Sequence, residues 1–128
     1  MPSWQEYKTI AQARGALALE LYVVHSTPNG DHDLMKSTLP DHLDYQKEME
    51  AKGNLVFAGP LSDETGKEMQ GYGMIVYRAN SFEQARCFAE EDPMHKKGAR
   101  TFTMRRWLIN EVSLTVTLSL SGQHGTLS

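Results

Sequence analysis

Acid–base chemistry needs a titratable side chain held against a partner. Among five histidines and sixteen carboxylates, His42 and Asp92 are the pair whose positions point to one place. His42 shares a helical stripe with Leu39, Leu43, Gln46 and Met49, so its imidazole lies on or beside a buried face. Asp92 precedes Pro93 and therefore sits where a helix must stop. A carboxylate beside an imidazole fixes its tautomer and supports its charged form, and a positioned proton-transfer group of this kind contributes roughly 10²- to 10⁴-fold in rate.

Other chemistry-bearing residues read differently. His25, Asp31, His32 and Asp33 have metal-ligand side chains, yet they fall in a polar stretch without a fixed scaffold, so a solvated loop and no metal site are expected. Cys87, between Arg86 and Phe88 on a helix, has no help from a helix dipole and reads as a passive thiol. Arg105 and Arg106 are neighbours on a strand, so they point to opposite faces. Gly66-Lys67 lacks the upstream glycine of a phosphate loop, and no serine-nucleophile motif occurs. Nothing asks for a cofactor.

The elements that must position His42 and Asp92 follow from periodicity and punctuation. Ser3 with Glu6 has capping-box spacing, and Trp4, Tyr7 and Ala11 form a stripe, which predicts a short helix ended by Arg14-Gly15. Residues 16–24 alternate as a strand, with Leu17, Leu19, Leu21 and Val23 on one face and Glu20 and Tyr22 on the other. Residues 25–37 carry turn chemistry and read as a long surface loop. The next helix is placed from Thr38 as N-cap, with Pro40 in its first turn, to Lys52 before Gly53. Leu55–Ala58 reads as a strand that breaks at Gly59-Pro60, and a polar link over 62–70 leads to a strand at Tyr72–Tyr77. Ser81 and Gln84 open a second helix whose buried face is Phe82, Ala85, Phe88 and Ala89, and it ends near Asp92. A strand over 101–110 follows, with Phe102, Met104 and Leu108 opposed to Thr103, Arg105 and Trp107. A long alternating strand from Val112 to Leu120 comes last, before a polar, disordered tail from Gly122.

Between the added first helix and last strand, this order is βαββαβ. It predicts a ferredoxin-like α+β fold with an antiparallel sheet and both helices on one face. The single domain then has a core at about 18–110, an N-terminal helical extension over 1–15, and a C-terminal strand and tail over 111–128. Connectivity alone brings the start of the first core helix, Gly59-Pro60 and the end of the second core helix to one end of the sheet. The sheet's open face would expose apolar side chains, so a homodimer, or a higher oligomer built from one, is expected. The last strand has no other evident home, and exchange between subunits is the preferred reading.

Composition excludes several alternatives. A chain of 128 residues can bury roughly two-thirds of its unfolded surface without staples. One cysteine cannot make an internal disulfide, which points to a reducing, cytoplasmic setting. A formal charge of −3 gives no footprint for nucleic acid, and no apolar run is long enough for a membrane span.

The runs HLDY at His42–Tyr45, AGPL at Ala58–Leu61 and FAEEDP at Phe88–Pro93, followed by Gly98, occur in an order and spacing that resembles the YciI-like (YCII-related) family. The likeness covers about residues 18–110. It implies a ferredoxin-like dimeric α/β barrel with one cleft per subunit and a His-Asp dyad that falls on His42 and Asp92. Gly59, Pro60, Leu61 and Met94 would roof the cleft and contact substrate. A family relative removes chloride from a chlorinated hydroxyhydroquinone. The resemblance therefore implies lyase-like or isomerase-like chemistry, dehydrochlorination included, on a small organic molecule that could be aromatic. The alternative is a dimeric binding or accessory protein that holds a small ligand without turning it over. Met94, followed by His95, stands where members carry an aromatic residue, and Leu39 occupies the turn before His42 where a basic residue is common, with Lys36 the nearest cation.

Overall fold

Alternating apolar residues start the core with β1, Leu19–Pro28, longer at its C-terminal end than the sequence pattern implied. After it come α2 (His32–Ala51), β2 (Leu55–Ser62), β3 (Met69–Tyr77), α3 (Phe82–Glu91), the single-turn α4 (Pro93–Lys96) and β4 (Arg100–Ile109); α1 (Trp4–Ala13) precedes them. The computed structural model describes residues 1–128. Two units emerge, Glu20–Trp107 and a second formed by Met1–Leu19 with Leu108–Ser128. No helix is long and apolar enough to cross a membrane.

In the larger unit, β1 to β4 form a four-stranded sheet in the order β2-β3-β1-β4. The pairs β1–β3 and β2–β3 are antiparallel, with Tyr22 opposite Tyr77 and Val24 opposite Ile75. The chain is thus α+β, with helices interleaved in the expected order. Its core joins Tyr22, Val24, Ile75, Tyr77 and Met104 of the sheet to Met49 of α2 and Ala85 and Ala89 of α3. Each large apolar side chain so buried contributes about 1.5–3 kcal/mol. On β1 the face within this cluster is Tyr22 and Val24. Tyr22 stacks edge-on against Phe82 at 6.3 Å, and Leu21 on the other face of the strand is buried as well.

The start of α2 corrects the expectation. Thr38 does not cap it; Asp31 does, accepting from the Leu34 N–H at 3.0 Å. The expected loop over 25–37 is therefore the end of β1, a turn through Gly30 with φ of +87°, and two helical turns. Asp31 and Asp33 suit the positive end of the helix, and that start leaves Pro40 in the interior, where the helix forgoes the bond Pro40 cannot donate to Lys36.

Nor does β2 break at Gly59-Pro60. It continues to Ser62 with irregularities at Leu55/Phe57 and Pro60/Ser62. As an edge strand it tolerates proline, whose missing donor costs no second neighbour. With β3 starting at Met69, the expected 62–70 link shrinks to a tight connection in which Asp63 Oδ1 accepts from the Thr65 N–H at 3.0 Å and from the Thr65 hydroxyl at 2.6 Å, and the Asp63 N–H donates to the Glu68 carbonyl at 2.8 Å.

In the smaller unit, the capping box of α1 forms as expected, with the Glu6 N–H donating to Ser3 Oγ and the Ser3 N–H to Glu6 Oε2, both at 3.2 Å. The Leu17 N–H donates to the Asn110 carbonyl at 3.0 Å. The expected strand over 112–120 is instead a short hairpin, β5 (Val116–Ser119) with β6 (His124–Leu127), and the tail from Gly122 is its turn and second strand. Gln123, at φ of +53°, makes the reversal that lets the two strands pair.

Candidate active site

The middle of α2 and the strands β2 and β3 line a cavity of about 470 Å³ inside the larger unit. From α2 come Leu39, His42, Leu43 and Gln46, the stripe that periodicity had marked; from β2 come Ala58, Gly59 and Pro60; Met94 of α4 closes one side. Leu61 does not line it. Leu61 falls at the irregularity between Pro60 and Ser62, where the strand loses its regular register against β3.

Local chemistry explains why Asp92 is where it is. The proline that follows forces an extended ψ, here 124°, so α3 stops and Asp92 becomes the N-cap of α4 with Pro93 at the first helical position. Its Oδ1 accepts from the Met94 N–H at 3.0 Å. The carboxylate is fully buried, and its remaining capacity is spent on His42 Nδ1, which lies 2.8 Å from Oδ1 and 2.9 Å from Oδ2. A carboxylate only accepts, so Nδ1 carries a proton, and it is the neutral ring that presents a lone pair at Nε2. The His42 side chain is 17% exposed, enough for its edge to reach the cavity. Lys97 pairs with Asp41 at 3.1 Å, tying α4 to the turn of α2 that carries His42.

Two tyrosines border the dyad without competing as acids. Burial, reinforced by the nearby Asp92 charge, pushes both Tyr45 and Tyr77 above the usual tyrosine range. Tyr45 stays a donor and gives its hydroxyl proton to the Phe88 carbonyl at 2.6 Å.

A second constellation, which sequence reasoning did not assemble, stands on the same cavity. Ser26 and Arg100 both line it. Ser26 Oγ is 2.8 Å from His95 Nε2, and His95 Nδ1 is 2.7 Å from the Ala89 carbonyl. The carbonyl can only accept, so Nδ1 is protonated and donates. Burial holds His95 below the ordinary histidine range, hence neutral, and Ser26 donates its hydroxyl proton to Nε2. Arg100 Nε then donates to Ser26 Oγ at 2.7 Å, while Arg100 Nη2 donates to the Ser26 carbonyl at 2.8 Å and to the Gly71 carbonyl. Reading 25–37 as a loop hid Ser26. The legible signal was the Asp-Pro-Met-His run, since a helical turn capped by Asp92 swings His95 back under β1.

His25, Asp31, His32 and Asp33, read as one solvated loop, are instead divided between β1 and the start of α2. Asp31 caps α2 while His25 is on β1, and no group of His, Cys, Asp or Glu in the chain is arranged to hold a metal ion.

Comparison with curated proteins finds no match. Among solved structures, the chain is similar to the 5-chloro-2-hydroxyhydroquinone dehydrochlorinase of Burkholderia phenoliruptrix AC1100 in complex with 2,5-dihydroxybenzoquinone. The TM-score is 0.54 at 22% identity, over 68% of this chain and 92% of that one, which is a likeness of fold. The family model for the YCII-related domain matches residues 21–108, well over half the chain and nearly the whole of the larger unit. The protein belongs to the YCII-related family.

Proposed function

We propose that this protein is a small-molecule enzyme in which His42, oriented by Asp92, moves a proton to and from substrate in the cavity. The observation that carries the reading is the two-oxygen contact of a fully buried Asp92 with His42 Nδ1, which leaves Nε2 facing the cavity without another partner. Nε2 takes a proton from a C–H or O–H of the ligand, and Asp92 stabilises the imidazolium that forms. In an isomerisation the proton returns to another atom of the same ligand. In an elimination the electron pair of the broken C–H bond forms a double bond and an anionic leaving group such as chloride departs with its own pair, the proton ending on water. The similarity to a dehydrochlorinase supports the second course for a chlorinated hydroxyhydroquinone. Gly59, Pro60 and Met94 serve as the walls that hold the ligand.

The test follows chloride release from chlorinated hydroxyhydroquinones and, by NMR in D₂O, proton exchange at carbon in a panel of phenols and lactones. Wild type is expected to catalyse one of these, and His42→Gln to lose it. Ligand binding without exchange or turnover in wild type would instead make the protein a binding or accessory component.

We also propose the ferredoxin-like arrangement as half of a homodimeric α/β barrel in a cytoplasmic setting. Supporting this, Phe57, Tyr72 and Trp107 are exposed large side chains on three strands, and Val112, Leu114, Val116, Leu118 and Leu120 all stand in solvent. Light scattering on the full chain and on a chain ending at Glu111 tests both parts. A dimer that loses stability on truncation fits exchange of the C-terminal segment, an unchanged dimer rejects exchange, and a monomeric full chain rejects the dimer.

A further inference from the structure

We propose that Arg100 is the anion anchor of the cavity, so that the ligand is a small organic acid, ionised at neutral pH, whose apolar body lies toward Met94 and whose oxyanion meets the guanidinium. The proposal rests on the cavity being the ligand site of the reading above. The lining contains no carboxylate. Its one permanently charged side chain is Arg100, and the partners of that guanidinium are all uncharged: Ser26 Oγ, the carbonyls of Ser26 and Gly71, and Met35 Sδ. No acidic group lies within ion-pair distance of it, and Asp92, whose charge acts on it from further off, has its oxygens committed to His42 and Met94. A cation half removed from water with only neutral partners is costly, and an incoming oxyanion relieves that cost through a charge-assisted hydrogen bond.

The guanidinium is also prevented from swinging away. Ala89 accepts from His95, His95 accepts from Ser26, and Ser26 accepts from Arg100, so each proton in the chain has one assigned direction. Gly71 contributes at φ of +84°, a conformation that favours glycine and brings its carbonyl to Arg100. Of the five guanidinium N–H groups, four are engaged, which leaves one Nη1 donor for the cavity. Around this point the walls are apolar, from Leu39, Leu43, Met69, Met74 and Met94. The volume of about 470 Å³ suits a ligand of one ring with substituents.

Isothermal titration calorimetry and thermal shift with benzoate and its neutral isostere benzamide test the assignment. Wild type is expected to bind benzoate at least about tenfold more tightly than benzamide, the scale of one charge-assisted bond. Arg100→Gln should erase that preference, Arg100→Lys should keep part of it, and His42→Gln should leave it in place. Equal binding of the two probes, binding of neither at millimolar concentration, or a preference that survives Arg100→Gln and vanishes in His42→Gln overturns the anchor. Should Arg100→Gln not fold, the wild-type preference and its retention in Arg100→Lys and His42→Gln decide. Failure of proton exchange with the benzoate preference intact would sink the acid–base reading and leave the anchor standing.

Discussion

His42 and His95 stand at the same end of the larger unit, both with Nδ1 as donor, yet their surroundings give them opposite characters. His42 donates to a buried carboxylate and keeps Nε2 unoccupied beside the cavity. His95 donates to a backbone carbonyl, accepts from Ser26, and lies with its ring centroid 4.7 Å from that of Phe102. The first has a charged partner that can compensate an added proton and a free atom to receive one. The second has both nitrogens used, and burial disfavours its charged form. Residue type therefore says little here; what the second nitrogen faces decides which histidine can do chemistry and which can only position its neighbours.

The sharpest way to break this contrast is to remove the carboxylate without changing its shape. Asp92→Asn should lower turnover by roughly 10²- to 10⁴-fold, because an amide can hold the wrong tautomer of His42 and cannot stabilise its charge. His95→Gln should stay within about tenfold of wild type in turnover, and a deeper loss would erase the distinction drawn between the two rings. Next in size, Ser26→Ala leaves Arg100 Nε and His95 Nε2 without partners and should cost about 1–3 kcal/mol in urea unfolding. A variant as stable as wild type would mean that the chain of bonds through Ser26 is slack.

A smaller effect concerns pH. Burial holds His95 below the ordinary histidine range, against the opposing pull of the Ala89 carbonyl and Asp92 and with Arg100 and His42 acting in the same direction as burial. Folding therefore favours the neutral ring. The stability this contributes is fully present above roughly pH 6.5, the unfolded value, and is lost as pH falls through the lower folded one. The difference in Tm between wild type and His95→Gln should accordingly narrow on acidification from pH 7.5 toward 4.5; a constant difference contradicts it. Smallest of all, Lys97→Ala removes an exposed pair with Asp41 and should change stability by less than about 1 kcal/mol.

Much of the dyad's placement was legible because it depends on strong local signals. Proline after Asp92 had to end α3, and the apolar spacing of Leu39, Leu43 and Met49 had to turn His42 inward; connectivity then brought them together. The capping box at Ser3 and the Ser81 cap of α3 were read for the same reason. The N-terminal half of α2 was not, because the Asp and His residues that read as a loop are also what a helix start favours, and Pro40 pulled the boundary toward itself. The end of β2 was misplaced by treating Gly59-Pro60 as a break, whereas an edge strand carries proline and continues past it, with Leu61 at an irregularity. Arg100 and Ser26 gave no local signal at all, since their meeting depends on pairing between strands far apart in sequence.

The most direct measurement needs no substrate. Native protein is treated with diethyl pyrocarbonate, which acylates accessible neutral imidazole nitrogens, and the modification of each histidine is followed by mass spectrometry. The account predicts that His42 is modified through its free Nε2 while His95 stays unmodified until the protein is unfolded. Modification of His95 as fast as His42, or a His42 that resists the reagent in the native state, would contradict it.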